Sequence, residues 1–188
     1  QKPTPSKKRQ VRQEGGGPSQ EPKVKCAKPR LNEIGSFNAR SLQARMGVLP
    51  AYLRQNHNLG IVGIQETWQK EIDEYYVQDL GDWKFFGDQH PRGEGHQGGG
   101  VGFFVKRQLL DEGVVRKYPL NLSIGSRAVM CLQLKVPKGF IYVFNVYIQH
   151  EQYLGGKLEQ FYLELGEMFK VLIKRPQTVD IIALGDWN

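Results

Sequence analysis

Four strand-like runs that each end beside a polar side chain constrain this chain more than any other feature. Asn38 follows residues 31–37, Glu66 follows 59–64 by one residue, Tyr147 sits near the close of 140–148, and Asp186 and Asn188 follow 179–184. Short apolar runs rich in branched residues read as strands buried in a sheet. A buried strand ending in a carboxylate, amide or hydroxyl delivers that group to the sheet's rim. The last of them, Gly185-Asp186-Trp187-Asn188, places a carboxylate and a carboxamide two residues apart. Such a pair suits metal-assisted attack on phosphate, one side chain holding water and the other orienting an oxygen. Read alone, the same four residues also fit an Asx turn that closes a strand.

The segments between these runs alternate in type. Leu42, Met46, Leu49 and Leu53 recur at helical spacing, but Gly47 and Pro50 interrupt them, so a broken or late-starting helix is expected. Residues 83–86 and 99–105 read as strands, separated by a glycine-rich polar loop over 87–98. The glycines at 98–102 are not a nucleotide-binding loop, because such loops follow a strand and open a helix, whereas these precede a strand. Close backbone packing accounts for them better. Residues 127–136 and 140–148 form a hairpin through Pro137-Lys138-Gly139, with Met130, Leu132 and Leu134 on one face. Leu158, Phe161, Leu165, Met168, Phe169 and Leu172 make an amphipathic helix that Arg175-Pro176 stops. The final run, 179–184, reads as a core strand. The succession is β-α-β, a β-rich stretch, then α-β, which is an α/β fold.

Charge is distributed unevenly. The net +7 resides in residues 1–30, where nine Lys and Arg face only Glu14 and Glu21; the rest of the chain is balanced. A segment so polar and so rich in Gly and Pro is expected to be a disordered basic tail, with one incomplete domain over 31–188. The tail suits either screening of DNA or RNA phosphates or a plain linking or targeting role. Cys26 and Cys131 form no CxxC pattern, so neither disulfide nor structural zinc is expected. His57, His90, His96 and His150 show no ligand spacing. No apolar run approaches the roughly 18 residues of a membrane-spanning helix, and no secretory signal opens the sequence, so the protein is expected not to be secreted.

Five pieces together are specific: Phe37-Asn38-Ala39-Arg40-Ser41-Leu42, Ile64-Gln65-Glu66-Thr67-Trp68, Gly99-Gly100-Val101-Gly102-Phe103, Asn145-Val146-Tyr147 and Leu184-Gly185-Asp186-Trp187-Asn188. In this order the chain resembles the endonuclease/exonuclease/phosphatase superfamily over about residues 31–188. The first two pieces look most like the endonuclease domain of non-LTR (LINE-type) retrotransposons. The resemblance implies a DNase I-like four-layer α/β sandwich, of which this chain would be the first half. It implies that Glu66, helped by Asn38, ligates Mg²⁺ or Mn²⁺, hard cations that prefer oxygen donors. By the same resemblance Tyr147 hydrogen-bonds the scissile phosphate, Asp186 positions or deprotonates the attacking water, and Asn188 holds a phosphate oxygen.

Two departures qualify the likeness. Family members commonly show proline and a polar amide soon after the tyrosine, where this chain has Ile148-Gln149-His150. The family's second half supplies a further Asp and an Asp-His pair that have no counterpart here. Two functions are therefore expected. One is a DNA-nicking endonuclease that leaves a 3′-hydroxyl to prime reverse transcription in the nucleus, inactive as these residues alone. The other is a non-catalytic, nuclease-derived component of a larger RNA-protein assembly. In either case an exposed sheet face is expected, covered by a protein partner or by the second half of the fold.

Overall fold

Apolar alternation along eight strands builds two sheets that share one core. The structure, a computed structural model, describes residues 33–68, 80–87, 99–123, 128–148 and 157–187. The basic tail, Asn188, the 88–98 loop and His90, His96 and His150 lie outside the described residues. The first sheet contains β1 (Glu33–Asn38), β2 (Leu59–Gln65), β3 (Trp83–Gly87) and β4 (Val101–Lys106), in the order β1-β2-β4-β3. The second contains β5 (Val115–Tyr118), β6 (Val129–Val136), β7 (Gly139–Tyr147) and β8 (Thr178–Asp186), in sequence order. Each sheet has one parallel pair, β1 with β2 and β7 with β8, and is otherwise antiparallel.

Three apolar clusters separate four layers. Between the sheets, Ile61, Phe103 and Val105 meet Met130, Leu132, Leu134 and Val143, all at most 1% exposed. Each such side chain contributes about 2 kcal/mol by leaving water. On the far side of the first sheet, Val62, Ile64 and Phe104 pack on Leu42, Leu49 and Leu53 of α1 (Leu42–Arg45) and α2 (Leu49–Gln55). On the far side of the second, Cys131, Phe144 and Val146 pack on Phe161, Leu165 and Leu172 of a long helix, Leu158–Ile173. This is a mixed α/β sandwich of the DNase I-like kind, as the resemblance implies.

The helix between β1 and β2 is broken as its glycine and proline require. α1 is one turn, and α2 starts afresh with proline in its first turn, where the missing N–H costs nothing. Two elements have no sequence signal: α3 (Arg107–Asp111), which follows β4 directly, and the four-residue β5. Both are too short to show a period. The long helix, α4, follows the predicted apolar face.

Two expectations change. The run 179–184 is not a fully buried core strand: among the described residues β8 lies at the edge of its sheet, with none of its residues buried and Val179 47% exposed. An apolar run records burial of its faces and says nothing about whether both flanks are paired. Nor is one sheet laid bare on its inner side. Among the described residues each sheet has four strands, so the two inner faces cover each other, and exposed apolar side chains lie on α4, with Val179 on β8 and Val48 and Tyr52 at α2.

Candidate active site

β1, β2, β7 and β8 bring their carboxyl ends to one rim, and alternation decides which side chains face inward there. On β1 the inward series is Ile34, Ser36, Asn38; on β7 it is Val143, Asn145, Tyr147; on β8 it is Ile182, Leu184, Asp186. Each series starts apolar in the shared core and turns polar toward the rim. The parallel register sets Tyr147 beside Asp186, and the Ile148 N–H donates to the Asp186 carbonyl at 2.9 Å.

Asn38 joins the two halves. Its Nδ2 donates to Glu66 Oε1 at 2.7 Å and to Asp186 Oδ2 at 2.9 Å, across sequence separations of 28 and 148. Its Oδ1 accepts from the Arg40 N–H at 3.2 Å. Three of the sequence-predicted residues thus meet directly. Tyr147 is their neighbour in register, half-buried against the inter-sheet core, and Asn188 lies outside the described residues.

The carboxylate of Glu66 is held by an unusual backbone. Glu66 has φ +52°, and Arg40, Ser41 and Trp68 beside it also have positive φ. For a non-glycine residue this left-handed conformation costs about 1 kcal/mol. Two loops zipped together maintain it: the Ser41 N–H donates to the Glu66 carbonyl at 2.9 Å, Leu42 to Thr67 at 3.0 Å, and Trp68 to Gly99 at 3.0 Å. Strain of this kind persists where surrounding contacts over-determine it, and it clusters at functional sites.

Beneath the rim lies a polar network whose members Gln65 and Asn145 stand in two of the family-like pieces, with no role assigned to them from sequence. Asn145, fully buried, donates through Nδ2 to the backbone carbonyls of Ile64 at 2.9 Å and Gly102 at 2.8 Å, tying β7 to β2 and β4. Its Oδ1 accepts from Gln65 Nε2 at 2.5 Å, and Gln65 reaches on to the Ser36 hydroxyl at 3.1 Å. Gly63 makes room for this contact, since a Cβ there would collide with Leu184 Cδ1. The available signal was a single amide interrupting the apolar run of β7.

Two carboxylates meet at the rim around one neutral donor, an oxygen set that suits a hard divalent cation. Among the described residues no three His, Cys, Asp or Glu side chains cluster as metal ligands. Magnesium needs no such cage: one or two carboxylates suffice, with water and substrate phosphate completing the shell. Glu66 and Asp186 fit that mode. Cys131 is no nucleophile, because burial pushes its thiol far above the ordinary value of 9.0 and keeps it protonated. No described helix is long and apolar enough to cross a membrane.

Solved structures share this architecture. The 3′-5′ exonuclease NExo from Neisseria meningitidis superposes with a TM-score of 0.60 at 18% identity, covering 82% of this chain and 57% of that one. The AP endonuclease LMAP from Leishmania major superposes with a TM-score of 0.59 at 18% identity, covering 80% and 53%. A variant of the 3′ phosphatase NExo from Neisseria, bound to a product DNA hairpin, gives 0.57 at 17% identity, covering 82% and 57%. At these identities the likeness establishes the fold, and the chain spans little more than half the length of those proteins. No curated protein matches the sequence. The family model for the Endonuclease/Exonuclease/phosphatase family matches residues 35–188, a span that takes in both the strained Glu66 loop and the Asn38 bridge, and the chain belongs to that family.

Proposed function

We propose that this chain is part of a divalent-metal-dependent phosphodiesterase that nicks DNA. The observation that carries the reading is the Asn38 amide clamped between Glu66 and Asp186, which come from opposite sheets of the sandwich. Glu66, steadied by Asn38 and with the Asp186 carboxylate beside it, would hold Mg²⁺ or Mn²⁺, and the bound ion would supply Lewis-acid stabilisation of charge building on the phosphate. Asp186 accepts a proton from the attacking water. Tyr147 donates to a phosphate oxygen, and Asn188 binds another. Water adds to phosphorus, the bond to the 3′ oxygen breaks, and the leaving oxygen takes a proton from solvent, giving a 3′-hydroxyl and a 5′-phosphate.

The finer reading rests on the Asn-Ala-Arg-Ser-Leu and Gln-Glu-Thr-Trp wording: a LINE-type retrotransposon endonuclease acting on chromosomal DNA in the nucleus, its 3′-hydroxyl priming reverse transcription. The described rim carries no histidine, and the one described, His57, lies past α2, its carbonyl accepting from Lys106. On the family resemblance, we propose that these 188 residues alone do not turn over substrate.

Two measurements test this. Titration with Mn²⁺ should show binding that Glu66→Ala and Asp186→Ala each abolish; binding indifferent to both removes the metal site. Supercoiled plasmid incubated with Mg²⁺ and this chain should stay intact. Robust nicking that Glu66→Ala eliminates would show that the 188 residues are catalytically sufficient.

A further inference from the structure

A second concentration of hydrogen-bond donors lies on the outer face of the second sheet, past the end of α4. There a groove of about 450 Å³ is lined by Arg116, Tyr118, Gln133, Phe140, Tyr142 and Arg175 among others, with no carboxylate among the lining residues. It is distinct from the rim. Tyr142 stands five residues before Tyr147 on β7, about 17 Å along the strand, and on the opposite sheet face.

Hydrogen-bond direction inside the groove is forced. Arg116 has only donors, and its Nε reaches Gln133 Oε1 at 2.5 Å, so the Gln133 amide presents its oxygen to Arg116. The nitrogen must then face the other way, and Nε2 donates to the Tyr142 hydroxyl at 2.8 Å. Arg175, a second pure donor, sets its guanidinium against the same hydroxyl and that of Tyr118; these contacts hold it above its ordinary pKa. The Tyr142 hydroxyl accepts from Gln133 and keeps its own proton for an acceptor elsewhere. Tyr142 is 2% exposed and Gln133 4%, so the centre of the arrangement is buried, while Arg116 and Arg175 stand exposed at its margin. Aromatic rings form the floor: Tyr118 meets Tyr142 edge-on at 5.0 Å, and Arg175 covers the Tyr118 ring at 5.8 Å.

We infer that this groove is a non-catalytic binding site for a phosphate-bearing ligand of the nucleotide kind, the phosphate taken by Arg116, Arg175 and the Tyr142 hydroxyl and the base lying against Phe140 and Tyr118. Two guanidiniums beside a phenol donor, with no carboxylate among the lining residues, select an oxyanion. The aromatic wall and the groove's size suit a mononucleotide. This inference is independent of the rim chemistry.

Isothermal titration of the whole chain with adenosine 5′-monophosphate tests it, with adenosine as the phosphate-free control. One saturable site is expected, with adenosine at least about tenfold weaker, as loss of charge-assisted hydrogen bonds requires. Tyr142→Phe keeps the ring and should weaken nucleotide binding about tenfold. Arg175→Ala, at an exposed position that leaves the fold intact, should do the same, and Glu66→Ala should change nothing. A 5′-phosphorylated trinucleotide separates the sources: binding equal to the mononucleotide assigns the groove to strand ends, and exclusion assigns it to free nucleotides. Equal affinity for adenosine, indifference to Tyr142→Phe and Arg175→Ala, or loss of binding in Glu66→Ala each overturn the proposal.

Discussion

Glu66 holds a backbone conformation that nothing in its side chain favours, and its cost can be measured. Its φ of +52° suits glycine or asparagine, and its carboxylate stands with that of Asp186 around one amide. Asparagine tolerates the left-handed region and removes one of the two charges. Glu66→Asn is therefore expected to stabilise the chain by about 1 kcal/mol, raising the melting temperature by about 3 °C while abolishing Mn²⁺ binding. A melting temperature below that of the parent chain would deny that the loop is strained. Asn145 is the opposite case, a polar group whose removal should hurt. Truncating Asn145→Ala removes the buried acceptor of Gln65 Nε2 and the side-chain donor to the carbonyls of Ile64 and Gly102. About 3 kcal/mol of stability should be lost, read as a lower midpoint in urea at unchanged slope. The two residues also differ in legibility. Glu66 is visible as a carboxylate past a buried strand, although its strain is not, because φ leaves no mark in a sequence of side chains. Asn145 shows only as an interruption, and its importance lies in which backbone carbonyls happen to stand opposite.

Among elements, legibility follows length and period. The sixteen-residue α4 has room for four turns of an apolar stripe, and its face was readable. α3 and β5, at five and four residues, have no room for any period. β8 was readable as a strand but misplaced as core, because edge and centre strands bury similar faces and differ in their flanks. What fixes β8 against β7 is a detail at its end. Gly185 has φ +137°, and a Cβ there would collide with the Val146 carbonyl oxygen, which is backbone and has no way to swing aside. Gly185→Ala must push the end of β8 off β7 and carry Asp186 with it. A loss of about 3 kcal/mol is expected, together with loss of Mn²⁺ binding even in protein that remains folded. Retention of metal binding at full strength would show that Asp186 does not depend on this register.

At the scale of the molecule, the four-layer order follows from where apolar faces point, but the site depends on a coincidence of lengths. β1 and β8 lie at the edges of different sheets, yet Asn38 and Asp186 finish at the same height. No local pattern announces that agreement; the family resemblance did, because it carries the geometry of the whole fold. Charge is distributed on the same large scale. The excess of seven positive charges belongs to residues 1–30, and the remainder of the chain is electrically balanced. If residues 1–30 act as a phosphate-screening arm, one of the two roles expected of them, their contribution is release of condensed counterions, which grows as salt falls and is blind to sequence. The logarithm of duplex affinity against the logarithm of salt then has a slope of about −0.9 per phosphate neutralised. Deleting residues 1–30 should flatten that slope by several units, weaken binding most at low salt, and leave the Mn²⁺ titration unchanged, because Glu66 and Asp186 lie on the balanced part. Such a result would divide the protein into an arm that holds any nucleic acid and a rim that acts on one phosphate of it. An unchanged slope would place the phosphate contacts on the sandwich itself, where, with the net charge balanced, they must come from local groupings of Lys and Arg.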